Sequence, residues 1–193
     1  MLLEKLMLRS ILALSVLALS ATAVADDFDY TYLNLNYGQV EFDDVDVDGD
    51  GIGVSGAFAV NQNWHMFGDY TSASLDFGID ATEFGVGVGY NTPLSDSVDI
   101  IGRVSYEYIE LEGGGASVDE TGYGLGVGLR MHASPKLEIN GGLDYMDLGD
   151  GDETLLSVGG LYMLTPSFAL GFGGSWSDDR STYTATGRFY FGN

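Results

Sequence analysis

Apolar residues recur at every second position along most of the chain beyond residue 28. Phe84-Gly-Val-Gly-Val-Gly-Tyr90, Tyr123-Gly-Leu-Gly-Val-Gly-Leu129 and Phe168-Ala-Leu-Gly-Phe-Gly173 alternate large and tiny side chains without a break. Elsewhere the second face is polar. Val98, Ile100, Gly102, Val104, Tyr106 and Tyr108 oppose Asp99, Ile101, Arg103, Ser105 and Glu107, and Leu137, Ile139, Gly141, Leu143 and Tyr145 oppose Glu138, Asn140, Gly142 and Asp144. A period of two marks β-strands, and no segment after Ala25 carries the period of a helix. The pattern predicts strands at 29–38, 51–60, 64–75, 82–91, 98–110, 121–131, 136–147, 154–164, 168–177 and 181–191, which makes ten strands, or eight if two weaker segments are loop.

The connections fall into two alternating classes. Residues 61–63, 92–97, 132–135 and 165–167 are short and turn-like, whereas 39–50, 76–80, 111–120, 148–153 and 178–180 are mostly acidic and rich in Gly. An up-and-down barrel with both termini in the periplasm alternates in this way, with short turns inside and variable loops outside.

A soluble β-sandwich also alternates, so the kind of residue on each face decides. A packed core is not built from runs of Gly or repeated Arg and Glu. A transmembrane barrel turns its apolar face to lipid and leaves its inner face small or polar. Aromatic residues near the segment ends (Tyr37, Trp64, Tyr90, Tyr106, Tyr108, Tyr145, Tyr162, Trp176 and Phe191) suit girdles at the two interfaces. The expected fold is all-β, a transmembrane antiparallel up-and-down β-barrel.

The N-terminus predicts export. Lys5 and Arg9 precede an apolar run at Ile11 to Ala18, and Ala23-Val24-Ala25 is an A-x-A cleavage pattern before Asp26, the layout of a secretory signal peptide. Residues 1–25 are thus expected to be removed, leaving 26–193 as one barrel domain. The absence of Cys excludes a lipid-anchored lipoprotein and disulfides. A formal net charge of −22 argues against nucleic acid. After Ala25 the basic residues are only Arg103, Arg130, Lys136, Arg180 and Arg188.

With the signal peptide, the opening Tyr30-Thr-Tyr-Leu-Asn-Leu-Asn-Tyr-Gly38, the Gly-alternating strands and the terminal Gly187-Arg-Phe-Tyr-Phe191, the chain resembles the small outer-membrane barrel families, the OmpA-type and opacity-protein-like barrel domains. The resemblance implies the outer membrane of a Gram-negative bacterium, with outer-membrane lipid, lipopolysaccharide and the barrel-assembly machinery as partners, and a monomer. Members usually end on the aromatic residue, whereas Gly192 and Asn193 follow Phe191 here.

Candidate chemistry is sparse. His65 and His132 fall at the expected periplasmic side without an evident carboxylate partner, and they read as interfacial or turn residues. The chain is therefore not expected to be an enzyme or to hold a bound cofactor. Asp46-Val-Asp-Gly-Asp-Gly51 opens like an EF-hand loop, but position twelve is Ala57 rather than Glu. Asp46, Asp48 and Asp50 are read either as a solvated acidic loop or as a weak Ca²⁺ or Mg²⁺ site.

The scarce cations carry more information. Arg103, Arg130 and Arg188 occupy strand positions whose neighbours face lipid, so all three should point into the lumen. Inward acids are expected at Asp69, Glu83, Asp99, Glu107, Glu138 and Asp144. Arg103 would meet Glu107, Arg130 would meet Glu138, and Arg188 would meet Asn34, Asn36 or an acid across the seam. Two roles suit such a barrel. One is a structural or surface role in the cell envelope, with acidic extracellular loops and a polar side-chain-filled lumen. The other is a narrow porin-like channel for ions or small solutes, with lumen width supplied by inward glycines such as Gly85, Gly87, Gly89, Gly124, Gly126, Gly128, Gly171 and Gly173. The first is preferred because barrels of fewer than about sixteen strands rarely leave an open channel.

Overall fold

The computed structural model describes residues 28–42, 47–149 and 151–191. The expected signal peptide, Asp43, Asp44 and Asp46 of the acidic run, and the terminal Gly192 and Asn193 lie outside the described residues. Ten antiparallel strands form the wall: β1 (Tyr32–Phe42), β2 (Val47–Ala59), β3 (Trp64–Leu75), β4 (Ile79–Ser95), β5 (Val98–Gly113), β6 (Ala116–Ser134), β7 (Leu137–Leu148), β8 (Gly151–Thr165), β9 (Phe168–Trp176) and β10 (Arg180–Tyr190). Each pairs with its sequence neighbours, and β1 pairs with β10 from Tyr32↔Tyr190 to Phe42↔Arg180. This closed ten-stranded barrel leaves no free sheet edge.

Alternation assigns the faces. Outward Leu125, Val127 and Leu129 on β6 and Leu143 on β7 are about half exposed, so none of the described residues covers them. An uncovered apolar surface this wide is a lipid-facing surface. From Tyr123 to Met131 the strand climbs about 20 Å at a tilt of about 40°, close to the ~25 Å apolar band of such barrels. Trp64, Tyr90, Tyr162 and Phe189 edge the band toward the termini, and Tyr37, Tyr70, Tyr106, Tyr123 and Tyr183 edge it at the far end.

The strands run farther than their apolar band. Most of the residues expected as acidic loops are strand: β5 continues to Gly113 and β6 starts at Ala116, joined through Gly114 and Gly115 at φ +63° and +83°. A two-residue turn with both residues left-handed matches the twist of a hairpin, and Gly alone adopts it without strain. Likewise Asp76–Gly78 is a single 3₁₀ turn between β3 and β4, and β1 reaches Phe42 while β2 begins at Val47.

Beyond the far aromatic edge the pattern inverts. On β1 the outward residues change from Leu33, Leu35 and Tyr37 to Gln39 and Glu41, and the inward ones from Asn34 and Asn36 to Val40 and Phe42. β3 turns Ser72 and Ser74 outward and Ala73 and Leu75 inward; β5 places Glu112 outward and Ile109 and Leu111 inward. The near part is therefore a barrel patterned for lipid, and the far part a barrel patterned for water, with its apolar side inside.

Candidate functional site in the lumen

Three layers fill the lumen. Near the termini, Arg130 and Glu138 are both inaccessible to solvent and approach to 3.5 Å. The Arg130 guanidinium also lies 4.3 Å from the Tyr30 ring and 4.7 Å from the Phe28 ring. The Tyr30 hydroxyl donates to Asp99 at 2.9 Å. Across the β1–β10 seam, Arg188 Nε donates to Asn34 Oδ1 at 2.8 Å, and its guanidinium lies 3.6 Å from the Tyr32 ring centre. Thr186 donates to Asn36 at 3.0 Å in the same seam. Buried charges persist in a membrane only when paired and hydrogen-bonded, and stacking on aromatic rings serves the guanidinium faces that hydrogen bonds cannot reach.

The middle layer holds Arg103, Asp144, Asp69, Glu107 and Ser105. Arg103 pairs with Asp144 on β7, two strands away. It does not pair with Glu107 as the sequence led us to expect, because Gly126 on β6 stands between Arg103 and Asp144 in register and leaves room for the contact. Glu107 instead accepts from Ser105 at 2.5 Å. Asp69 and Glu107 converge over Gly85, where a Cβ would lie 2.8 Å from Asp69 Oδ1 and 2.7 Å from Glu107 Oε2. A cavity of about 60 Å³ adjoins these groups, enough for a few water molecules.

The glycines do not widen the lumen in the manner expected of a pore. At six of these positions a neighbour's side chain takes the space: Asp69 and Glu107 at Gly85, Phe67 at Gly87, His65 at Gly89, Ser105 at Gly124, the Arg103–Asp144 pair at Gly126 and Leu161 at Gly171. Small residues on one strand thus admit large ones from the next, and the lumen is filled by interdigitation.

The far layer is apolar. Val40, Phe42, Val47, Ala73, Leu75, Ile79, Ala81, Ile109, Leu111, Met146, Leu148 and Leu155 form one buried cluster from β1 to β5, β7 and β8. Arg180 on β10 and Glu153 on β8 meet at 3.1 Å in the same end of the barrel.

All nine charged residues singled out for the lumen occupy inward-facing strand positions: Arg103, Arg130, Arg188, Asp69, Glu83, Asp99, Glu107, Glu138 and Asp144. The histidines differ from the interfacial reading. His65 is buried in the lumen, stacked on Tyr30 at 4.6 Å and 3.2 Å from Asn91 Oδ1, and His132 stacks on Phe28 at 4.3 Å. Strand parity carried that information, since Trp64 and Met66 on either side of His65 face outward. Asp48 and Asp50 are not in a loop: both project outward and exposed from β2. Among the described residues no group of three or more His, Cys, Asp or Glu is placed to hold a metal ion. Phe28 and Tyr30 cross the lumen; a strand from residue 29 would instead put Tyr30 in the wall, and Phe28 precedes that strand.

A family model described as an outer membrane protein beta-barrel domain matches residues 10–163. The chain belongs to this family. The outer membrane barrel continues past the matched region through β9 and β10, which complete the closure. Among curated proteins none matches. Among solved structures this outer membrane barrel is similar to the KdgM porin in complex with disordered oligogalacturonate, with 10% identity, TM-score 0.49 and coverage of 83% of this chain and 99% of that one. It is also similar to Neisserial surface protein A (16%, TM-score 0.42, covering 84% and 98%). The attachment invasion locus protein Ail of Yersinia pestis is similar at 17%, with TM-score 0.40 and coverage of 83% and 96%. At these identities the likeness is one of fold.

Proposed function

We propose that this outer-membrane barrel is a closed, side-chain-filled protein with a structural or surface role in the cell envelope. In this reading the termini face the periplasm and the acidic far end projects outside. The observation that carries it is the apolar cluster at the far end, drawn from seven of the ten strands. A conducting lumen must stay wetted along its length, whereas a contiguous layer of buried Val, Leu, Ile, Phe and Met excludes water. The Arg–carboxylate pairs below it supply a second obstruction. On the outer surface, exposed carboxylates such as Asp48, Asp50, Asp80, Glu112 and Asp119 keep the projecting collar hydrated.

A second reading, a narrow channel for ions or small solutes, draws support from the polar cavity of about 60 Å³ at mid-lumen. Planar-bilayer recording separates the two. The purified barrel is expected to insert without unitary conductance, and a stable open level in the wild type would overturn the closed-lumen reading.

A further inference from the structure

Phe28 to Thr31 belong to no strand, yet Tyr30 is only 5% exposed. The segment leaves the start of β1 and crosses the lumen. Its contacts include Arg130 on β6, the strand five places from β1 in either direction around the closed order. Asp29 turns the chain inward by accepting the Thr31 backbone N–H at 2.7 Å. From there each residue meets its own partners. The Tyr30 ring lies against the His65 ring at 4.6 Å and the Arg130 guanidinium at 4.3 Å, while its hydroxyl donates to Asp99 at 2.9 Å. The Asp29 carbonyl accepts from Arg130 Nη1 at 3.4 Å. Phe28 stacks on His132 at 4.3 Å and lies 4.7 Å from the Arg130 guanidinium.

We propose that the mouth formed by His65, Asp99, Arg130 and His132 is a binding site for an aromatic–acidic–aromatic peptide segment, and that its resident ligand is the chain's own Phe28-Asp29-Tyr30. The site has the makeup of a receptor: two imidazole faces and a guanidinium plane for rings, a carboxylate for a phenol hydroxyl, and guanidinium N–H groups for a main-chain carbonyl. The ligand is separable from the wall. The backbone joins the barrel at Thr31, whose carbonyl accepts from Phe191 N at 3.2 Å, so withdrawal of Phe28 to Tyr30 breaks no ladder hydrogen bond. Behind it lies the mid-lumen cavity, which Tyr30 itself helps to line. The segment is therefore a tethered stopper for that cavity, and it acts independently of the apolar closure at the far end.

The chain has no Cys, so a thiol placed at Ser105 in the cavity wall reports access from the terminal end. In the Ser105→Cys barrel an impermeant thiol reagent should react slowly. Adding Phe28→Ala and Tyr30→Ala should speed the reaction at least tenfold. A synthetic peptide of the sequence Asp26 to Thr31, at up to millimolar concentration, should then restore slow labelling, and the same peptide with both aromatics replaced by Ala should not. Tyr30→Phe and Phe28→Ala, each alone, are milder variants and should give intermediate rates, which keeps the test valid if the double variant fails to fold. Equal rates with and without the aromatic residues, or no protection by the peptide, would overturn the site. Conductance is recorded on the same proteins: current through the Phe28→Ala/Tyr30→Ala barrel would overturn the closed far end and leave the peptide site standing, so the two readings fail separately.

Discussion

Replacing Arg130 with Ala should be among the costliest single changes in the polar part of the lumen. The side chain is fully buried, faces Glu138 at 3.5 Å, and packs on two rings at 4.3 and 4.7 Å. Removing it strands a buried carboxylate, a loss of roughly 3–5 kcal/mol when one partner of a buried pair is deleted. Arg188 stays buried in the same layer as a second cation, which favours the lower end, about 3 kcal/mol. Loss of the two ring contacts adds about 1 kcal/mol, for a total of about 4 kcal/mol. Urea unfolding in lipid vesicles, read by the fluorescence of Trp64 and Trp176, measures it. The double change Arg130→Ala with Glu138→Gln removes the stranded charge and should recover about 2 kcal/mol, whereas Glu138→Gln alone should be milder than Arg130→Ala. Coupling of this kind is what a double-mutant cycle isolates. A loss below 1 kcal/mol in Arg130→Ala, or no recovery in the double variant, would refute the reasoning that burial and pairing make this residue critical.

The inverted pattern makes a contrast along one strand: Val127→Arg should destabilise by roughly 2–4 kcal/mol, whereas Asp119→Arg, also outward on β6 but beyond the apolar band, should change stability by less than about 0.5 kcal/mol. Both are read by the same unfolding assay. Leu111 is fully buried in the far cluster, so Leu111→Ala should cost about 2–5 kcal/mol, with unfolding again the measurement. An epitope inserted between Gly114 and Gly115 should be labelled on intact cells, and one inserted near Lys136 only after the outer membrane is permeabilised; the opposite labelling would reverse the proposed orientation.

Strand number and face assignment were readable because a period of two survives wherever one side meets lipid. Val104 and Leu143 have no other place to go, and their polar neighbours Arg103 and Asp144 must then point inward. The reach of the strands was not readable. Beyond Tyr108 the apolar and polar faces exchange sides, so Ile109-Glu110-Leu111-Glu112 still alternates but in the opposite sense, and the surrounding Asp, Glu and Gly residues resemble loop. The partner of Arg103 was missed for a geometric reason. Glu107 is on the same strand and thus far along the wall, whereas Asp144 is brought opposite by the register of β5, β6 and β7 with Gly126 as the gap. The lumen segment was missed because Tyr30 and Tyr32 share one parity. The sequence alone does not separate a strand that starts at residue 29 from one that starts at Tyr32 after a segment that crosses the lumen.

In the proposed closed-lumen reading the two ends of the barrel are shut by different physics, and that difference bears on what the molecule can do. At the far end closure is hydrophobic: it is non-directional, drawn from seven strands, and inseparable from the folding of the collar. The same collar carries exposed acids such as Asp48, Asp50, Glu112 and Asp119 on its outside, where water solvates them. At the near end closure depends on directional contacts between rings, a guanidinium and one hydroxyl. Few groups make it, and they belong to a segment outside the strand ladder. Loosening the far closure requires unfolding part of the barrel, whereas loosening the near one requires only that three residues change partners. If any part of this lumen opens in the folded protein, it opens from the side of the termini.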